Sequence, residues 1–301
     1  MRLPTVVFLV VLSACHLGGV DPNGDPADTG SDFEESSMAG GLVRLPAGSF
    51  TMGSPMGETG RDHDEVRHEV TLTHDVWFGR DEVSQEIFED YAGYLPAGFT
   101  DCGVGCPVES ITWHQAAAFA NAVSEAEGLE PCYACTGAEV WTRCEAQLNP
   151  YACAGFRLPT EAEFEYAARA GQQGAYPGGG QLTQNTCEPG EQLSNGDLIE
   201  DFAWYCGNSE ERPHAVGTRP ANRWGLHDTL GNVWEWCEDG YGAYEGGDVT
   251  DPVGQGIGLT MALRGGSWDS LPHKLRFANR GSESGESAKD TVGMRLARTA
   301  E

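Results

Sequence analysis

The sequence predicts an α+β fold of an irregular, loop-rich kind, and three observations lead there. Forty-one glycines are spread over 301 residues. Only three segments carry apolar residues at helical spacing. The apolar stretches near the start of the domain are short and alternating, as half-buried strands are. No segment recurs at a fixed period, which sets solenoids and propellers aside.

From Gly41, residues Leu42, Val43, Leu45, Phe50 and Met52 are punctuated by glycines, the pattern of short strands and turns. His68-Glu69-Val70-Thr71-Leu72-Thr73 alternates and predicts a strand with one buried face. Ser84 is placed to cap a helix that turns Ile87, Phe88 and Tyr91 to one side. A second helix is expected from near Thr112, carrying Ala116, Ala117, Phe119, Ala120 and Val123 inward. The third is the sharpest: Thr160 as N-cap and Glu163 three residues on make a capping box, Phe164, Ala167 and Ala168 follow at helical spacing, and Gly171 supplies the stop. Losing the Thr160 cap should cost about 1 kcal/mol. Beyond Gly171 the chain is glycine-rich without long periodic segments, so loops there need fasteners such as disulfides, buried tryptophans and ions.

The first residues read as an export signal. Arg2 precedes an apolar run from Thr5 to Leu12, too short to span a bilayer, and Leu12-Ser13-Ala14-Cys15 resembles a bacterial lipobox. Residues 1–14 are then a signal peptide and Cys15 is the acylated anchor of a cell-envelope lipoprotein. From His16 to Gly40 there are six acidic residues and no Lys or Arg. Residues 15–40 are expected to form a disordered tether, spanning on the order of 28 Å as a coil. The domain proper is residues 41–301. A net charge of −28 argues against nucleic acid and against attachment to anionic lipid, leaving the acyl chains as the membrane contact.

Nine cysteines follow Cys15. In an exported chain their density favours disulfides. Cys102 and Cys106 are near enough to pair, and Cys132, Cys135, Cys144 and Cys153 supply two further bridges. The 132–153 group also has one pair at zinc-ligand spacing, but its other intervals are unlike a zinc ribbon. Pairing within the group cannot be read from spacing, and of the remaining three cysteines one is expected to be free.

Several short motifs fall in a fixed order: Phe50-Thr51-Met52-Gly53-Ser54, Glu82-Val83, Pro107-Val108 with Trp113, Arg157-Leu158-Pro159-Thr160-Glu161-Ala162-Glu163-Phe164 and Asn222 with Gly225-Leu226. They continue with Gly231-Asn232-Val233-Trp234-Glu235-Trp236, Arg264-Gly265-Gly266-Ser267-Trp268 and Gly293-Met294-Arg295. With these motifs the chain resembles the formylglycine-generating enzymes, or sulfatase-modifying factors. The resemblance implies their irregular fold, related to C-type lectins. It also implies a structural calcium held by the carboxylates of Asp228 and Glu235 and the carbonyls of Gly231 and Val233, an all-oxygen set that suits this ion. Trp234 and Trp236 are expected as core anchors. His63, His68 and His74 do not share a face that would present them to one metal and are read as structural.

Active members of the family oxidise a substrate cysteine with copper held by two cysteines just after the Gly-Gly-Ser stretch. Here those positions map to Ser270 and to the neighbourhood of Leu275, and no cysteine follows Cys237. Copper(I) prefers thiolates, so copper oxidation is not expected. Ser267, Trp268, Ser270, His273, Arg276, Asn279 and Arg280 are expected to line or border the former substrate cleft. Ser270 and His273 lack an identifiable orienting acid or oxyanion hole for a hydrolase. The leading expectation is a calcium-stabilised recognition or scaffold module binding a peptide, protein or glycan. The alternative is an oxidoreductase of the same family acting on a protein cysteine or another envelope substrate.

Overall fold

A computed structural model describes residues 33–34, 41–244, 246–254 and 260–300. The signal peptide, Cys15 and most of the tether lie outside these residues. The strands of the first half are β1 (Phe33–Glu34), β2 (Leu42–Leu45), β3 (Gly48–Met52), β4 (His68–Leu72), β5 (Val76–Gly79), β6 (Tyr133–Thr136) and β7 (Arg143–Ala146). Those of the second half are β8 (Trp234–Gly240), β9 (Val249–Thr250), β10 (Thr260–Arg264), β11 (Gly281–Ser284), β12 (Val292–Gly293) and β13 (Ala297–Thr299). Three α-helices separate them: α1 (Gln85–Ala92), α2 (Trp113–Ala126) and α3 (Glu161–Arg169).

The local chemistry places the helices as expected. Ser84, Thr112 and Thr160 are the N-caps, and α2 and α3 both close a capping box, through Gln115 and Glu163. One detail differs: α3 is ended by Ala170 in the left-handed conformation, with Gly171 one residue later. In β4, Val70 and Leu72 face inward and Glu69 outward, with His68 joining the buried side. Residues 33–34 pair antiparallel with β2, so strand structure begins inside the stretch read as tether.

One sheet runs β1-β2-β5-β13 and joins the two ends of the domain. A second, in the order β11-β10-β8-β12, is the centre of the site. Within it β8 and β10 are antiparallel neighbours, with Leu263 opposite Trp236 and Arg264 opposite Glu235. The two tryptophan-containing motifs, which begin at Gly231 and at Arg264, are therefore side by side in space. Trp236 is fully buried and donates from Nε1 to Ile111 O at 3.0 Å, while Trp113 donates to Cys237 O at 2.9 Å. Each indole thus carries its polar atom into the core already paired. Trp234 is only partly buried and packs at the edge of that core.

The bridges are Cys102–Cys106, Cys132–Cys153, Cys135–Cys144 and Cys187–Cys206, with Cys237 free and buried. The six cysteines singled out in sequence pair among themselves. The fourth bridge is one that sequence spacing did not indicate.

Candidate functional site

Helix α3 organises the polar interior. Its three acids alternate along a buried helix, and each meets arginine. Arg157 takes both oxygens of Glu163 at 2.7 and 2.8 Å, and Arg280 takes both of Glu161 at 2.6 and 2.8 Å. Glu165 is held by Arg169 at 2.7 Å and by Arg264 from β10. A fourth cluster joins Arg276 to Glu58 and Glu65, and a fifth joins Arg295 to Glu235. Charges this deeply buried persist only when paired and hydrogen-bonded. These pairs fix where the loops around the site can lie.

The first part of the site is the segment 264–280. Gly266 has φ +83°, and an added Cβ would come within 2.6 Å of Leu275 Cδ2, so glycine is needed for the turn to close on Leu275. Leu275 is fully buried in the core. Ser270 is also buried; its Oγ accepts from Ser267 N at 3.0 Å and lies 3.0 Å from Ser267 Oγ. Ser267 Oγ donates in turn to Asp269 at 2.6 Å. His273 is half-buried, with Nδ1 3.1 Å from Asn185 Oδ1. No hydrogen bond joins Ser270 to His273 among the described residues.

The cleft expected from sequence is redistributed. Trp268 and His273 reach the surface; Trp268 packs edge-on against Phe99 with ring centres 5.5 Å apart. Ser267, Arg276, Asn279 and Arg280 are buried, and both arginines are consumed by ion pairs rather than facing a ligand. His273 lines a cavity of about 450 Å³ with Thr59, Asp62 and Asn185. Arg280 instead lines a different cavity of about 330 Å³ with His68, Glu161, Asp239 and Tyr244. His68 donates from Nδ1 to Val66 O at 2.8 Å and packs tilted against Tyr244 with ring centres 4.8 Å apart, a structural role.

The second part is the bend before β8. Asp228 and Asn232 both take left-handed backbone conformations, with φ +51° and +58°. Gly231 has φ +85°, and a Cβ there would meet Trp204 O at 2.3 Å. The carboxylate of Glu235 accepts from Arg295 on both oxygens, at 2.7 Å each. Glu82 and Asp228 have no ion-pair partner among the described residues, and Glu82 accepts from Val233 N at 3.1 Å and from Asn232 Nδ2. Asp228 accepts from Gly217 N at 2.7 Å through Oδ2, but its Oδ1 is buried with no hydrogen-bond partner. Burial, then the nearby Asp228 and Glu235, push the Glu82 carboxyl well above its ordinary range. Burial likewise pushes Asp228 up to about 6. Three buried carboxylates with one guanidinium, and one orphaned acid oxygen, fit a site for a hard cation. Asp228 and Glu82 would hold calcium with the carbonyls of Gly231 and Val233. Glu82 was legible only as part of the Glu82-Val83 motif; its place at this bend was not, because it is brought in from just before α1.

The fold is loop-rich α+β, its GNVWEW and RGGSW stretches are paired in one sheet, and the sequence holds no cysteine after Cys237. The chain belongs to the family described as sulfatase-modifying factor enzyme 1-like domain, matched over residues 29–300. It is 30% identical over 323 aligned positions to a protein of Paenibacillus barcinonensis named Chaperone protein LppX, covering 98% of each. It is 29% identical to the inactive C-alpha-formylglycine-generating enzyme 2 of Mus musculus, over 86% of each chain. Among solved structures it is similar to Treponema denticola variable protein 1, with TM-score 0.73 and 27% identity over 86% of this chain and 95% of that one. No helix among the described residues is long and apolar enough to cross a membrane.

Proposed function

We propose that this chain is a cell-envelope lipoprotein, anchored through Cys15, whose domain recognises a peptide, protein or glycan and carries out no copper-dependent oxidation. One observation carries the reading: the family scaffold is complete, while the positions that would supply copper ligands hold a serine tied to Ser267 and a leucine buried in the core. The remaining thiol, Cys237, is fully buried, and burial pushes its pKa well above the ordinary value, so it offers no thiolate nearby. The names of two relatives, an inactive formylglycine-generating enzyme and a chaperone, support a non-oxidising role.

Trp268 and His273 are the members of the former cleft that a ligand can reach. A half-exposed tryptophan on a rigid turn is a suitable anchor for binding. Bound calcium would neutralise Glu82 and Asp228 and brace the bend that carries Asn232, whose carbonyl accepts from Trp268 N at 2.7 Å. Metal analysis of protein isolated without chelator tests the reading. Calcium without copper or iron is the expected result; stoichiometric copper or iron would contradict it. Anchoring is tested separately by Cys15→Ser, which should leave the membrane fraction, and its retention there would refute acylation as the attachment.

A further inference from the structure

A cavity of about 330 Å³ lies where the first turn of α3, the end of β8 and the stretch from β9 to Gly254 meet. Neither Trp268 nor His273 lines it. Its floor is buried, with Met52 and Ala162 beside Glu161, Asp239 and Arg280. Its rim is open, with Thr250 and Val253 exposed. A volume of this size falls within the range of small-ligand sites.

The polar lining has spent its donors. Arg280 donates to both oxygens of Glu161 and to the carbonyls of Asp64 and Gly242. The Tyr244 hydroxyl donates to Glu161 at 3.1 Å, and Gly254 N donates to Asp239. What remains is acceptors. Asp239 takes one backbone N–H on each oxygen, from Glu161 at 2.7 Å and from Gly254, so each oxygen keeps a second lone pair. Unlike the three acids of α3, Asp239 has no ion-pair partner among the described residues. His68 gives its Nδ1 proton to Val66 O, which leaves Nε2 of the neutral ring as an acceptor. A cavity that offers acceptors and an uncompensated buried acid favours a ligand that brings donors and a positive charge. One free carboxylate cannot fill the six to eight oxygen positions of calcium. Met52, Ala162 and Val249 supply an apolar wall instead, which suits an organic cation.

We propose that this cavity binds a primary ammonium group on an alkyl stem, of the kind a lysine side chain carries, with Asp239 as its counter-charge and Met52, Ala162 and Val249 along the stem. The site is separate from the surface of Trp268 and His273 and does not depend on what that surface binds. Burial, then Glu161 beside it, push the Asp239 carboxyl up to about 7, so it is ionised in mildly alkaline buffer.

The test titrates the full chain in such a buffer, by isothermal calorimetry, with Nα-acetyl-lysine amide and with pentylamine. Each is compared with its uncharged counterpart, Nα-acetyl-norleucine amide and pentanol. Methionine methyl NMR locates the ligand, because Met52 lines the floor. The charged probes should bind about tenfold more tightly than the uncharged ones and shift the Met52 methyl resonance. Binding of the lysine probe alone assigns the site to a side chain on a peptide; binding of pentylamine as well admits a free amine. Asp239→Asn should remove the preference for charge, and Val253→Trp, at the exposed rim, should block entry. If Asp239→Asn fails to fold by circular dichroism, Val253→Trp decides. Equal affinity for charged and uncharged probes, no binding of either at millimolar concentration, or undiminished lysine binding in folded Val253→Trp would overturn the proposal.

Discussion

Replacing Arg295 by Met removes the partner of Glu235 in the centre of the fold. Both side chains are fully buried, and the guanidinium also donates to the carbonyls of Gly79 at 3.0 Å, Arg80 at 3.2 Å and His227 at 3.0 Å. Breaking a buried pair from one side costs about 3–5 kcal/mol, because the remaining charge is stranded. The three carbonyls lose donors as well, at about 1 kcal/mol each if nothing replaces them, though these terms do not add fully. A loss of about 5 kcal/mol is expected, or a fall in Tm of about 10–20 °C for a domain of this size. Denaturant unfolding with the disulfides intact measures it. The double variant Arg295→Met/Glu235→Leu should be more stable than Arg295→Met alone, since it removes the stranded charge. An Arg295→Met protein within about 1 kcal/mol of wild type would refute the argument. So would a double variant no better than the single.

Chelator should lower the Tm of the wild type by more than that of Asp228→Asn; equal responses of the two proteins would exclude Asp228 from a calcium site. Burial raises the Asp239 carboxyl to about 7 and that of Glu238 to about 8, so both hold protons in the fold that the unfolded chain has released. Their contribution to stability is complete below the ordinary carboxylate pKa and is lost as pH rises through these folded values. Unfolding free energy should therefore fall between about pH 5 and pH 8, by about 1.4 kcal/mol per pH unit for each group while it remains protonated. Glu238→Gln/Asp239→Asn should flatten that slope, and a wild-type curve already flat would contradict it. Among the cysteines after Cys15, alkylation should modify Cys237 alone, and only after denaturation; a second reactive thiol would contradict the four bridges.

What could be read from the sequence was what is local. Ser84, Thr112 and Thr160 cap their helices through bonds to residues three positions away, so the pattern and the structure share one cause. The absent copper ligands were equally plain, since no alignment can supply a cysteine after Cys237. The arginine network was not legible. Arg276 meets Glu65 across 211 positions and Arg295 meets Gly79 across 216, with nothing in either neighbourhood to mark the partner. For that reason Arg276 and Arg280 suggested a ligand cleft, when their charge is spent inside the fold. Which two of Cys187, Cys206 and Cys237 pair also lacked a signal, because no strand or α-helix between positions 187 and 206 fixes a register.

The central claim is that the family scaffold persists here without its oxidation chemistry. It is tested most directly by incubating the purified domain aerobically with copper(I) and a cysteine-containing CxPxR peptide, then measuring the intact mass of the peptide and the bound copper. The account predicts unchanged peptide mass and no stoichiometric copper. Stoichiometric copper together with the mass loss of cysteine conversion to formylglycine would contradict it.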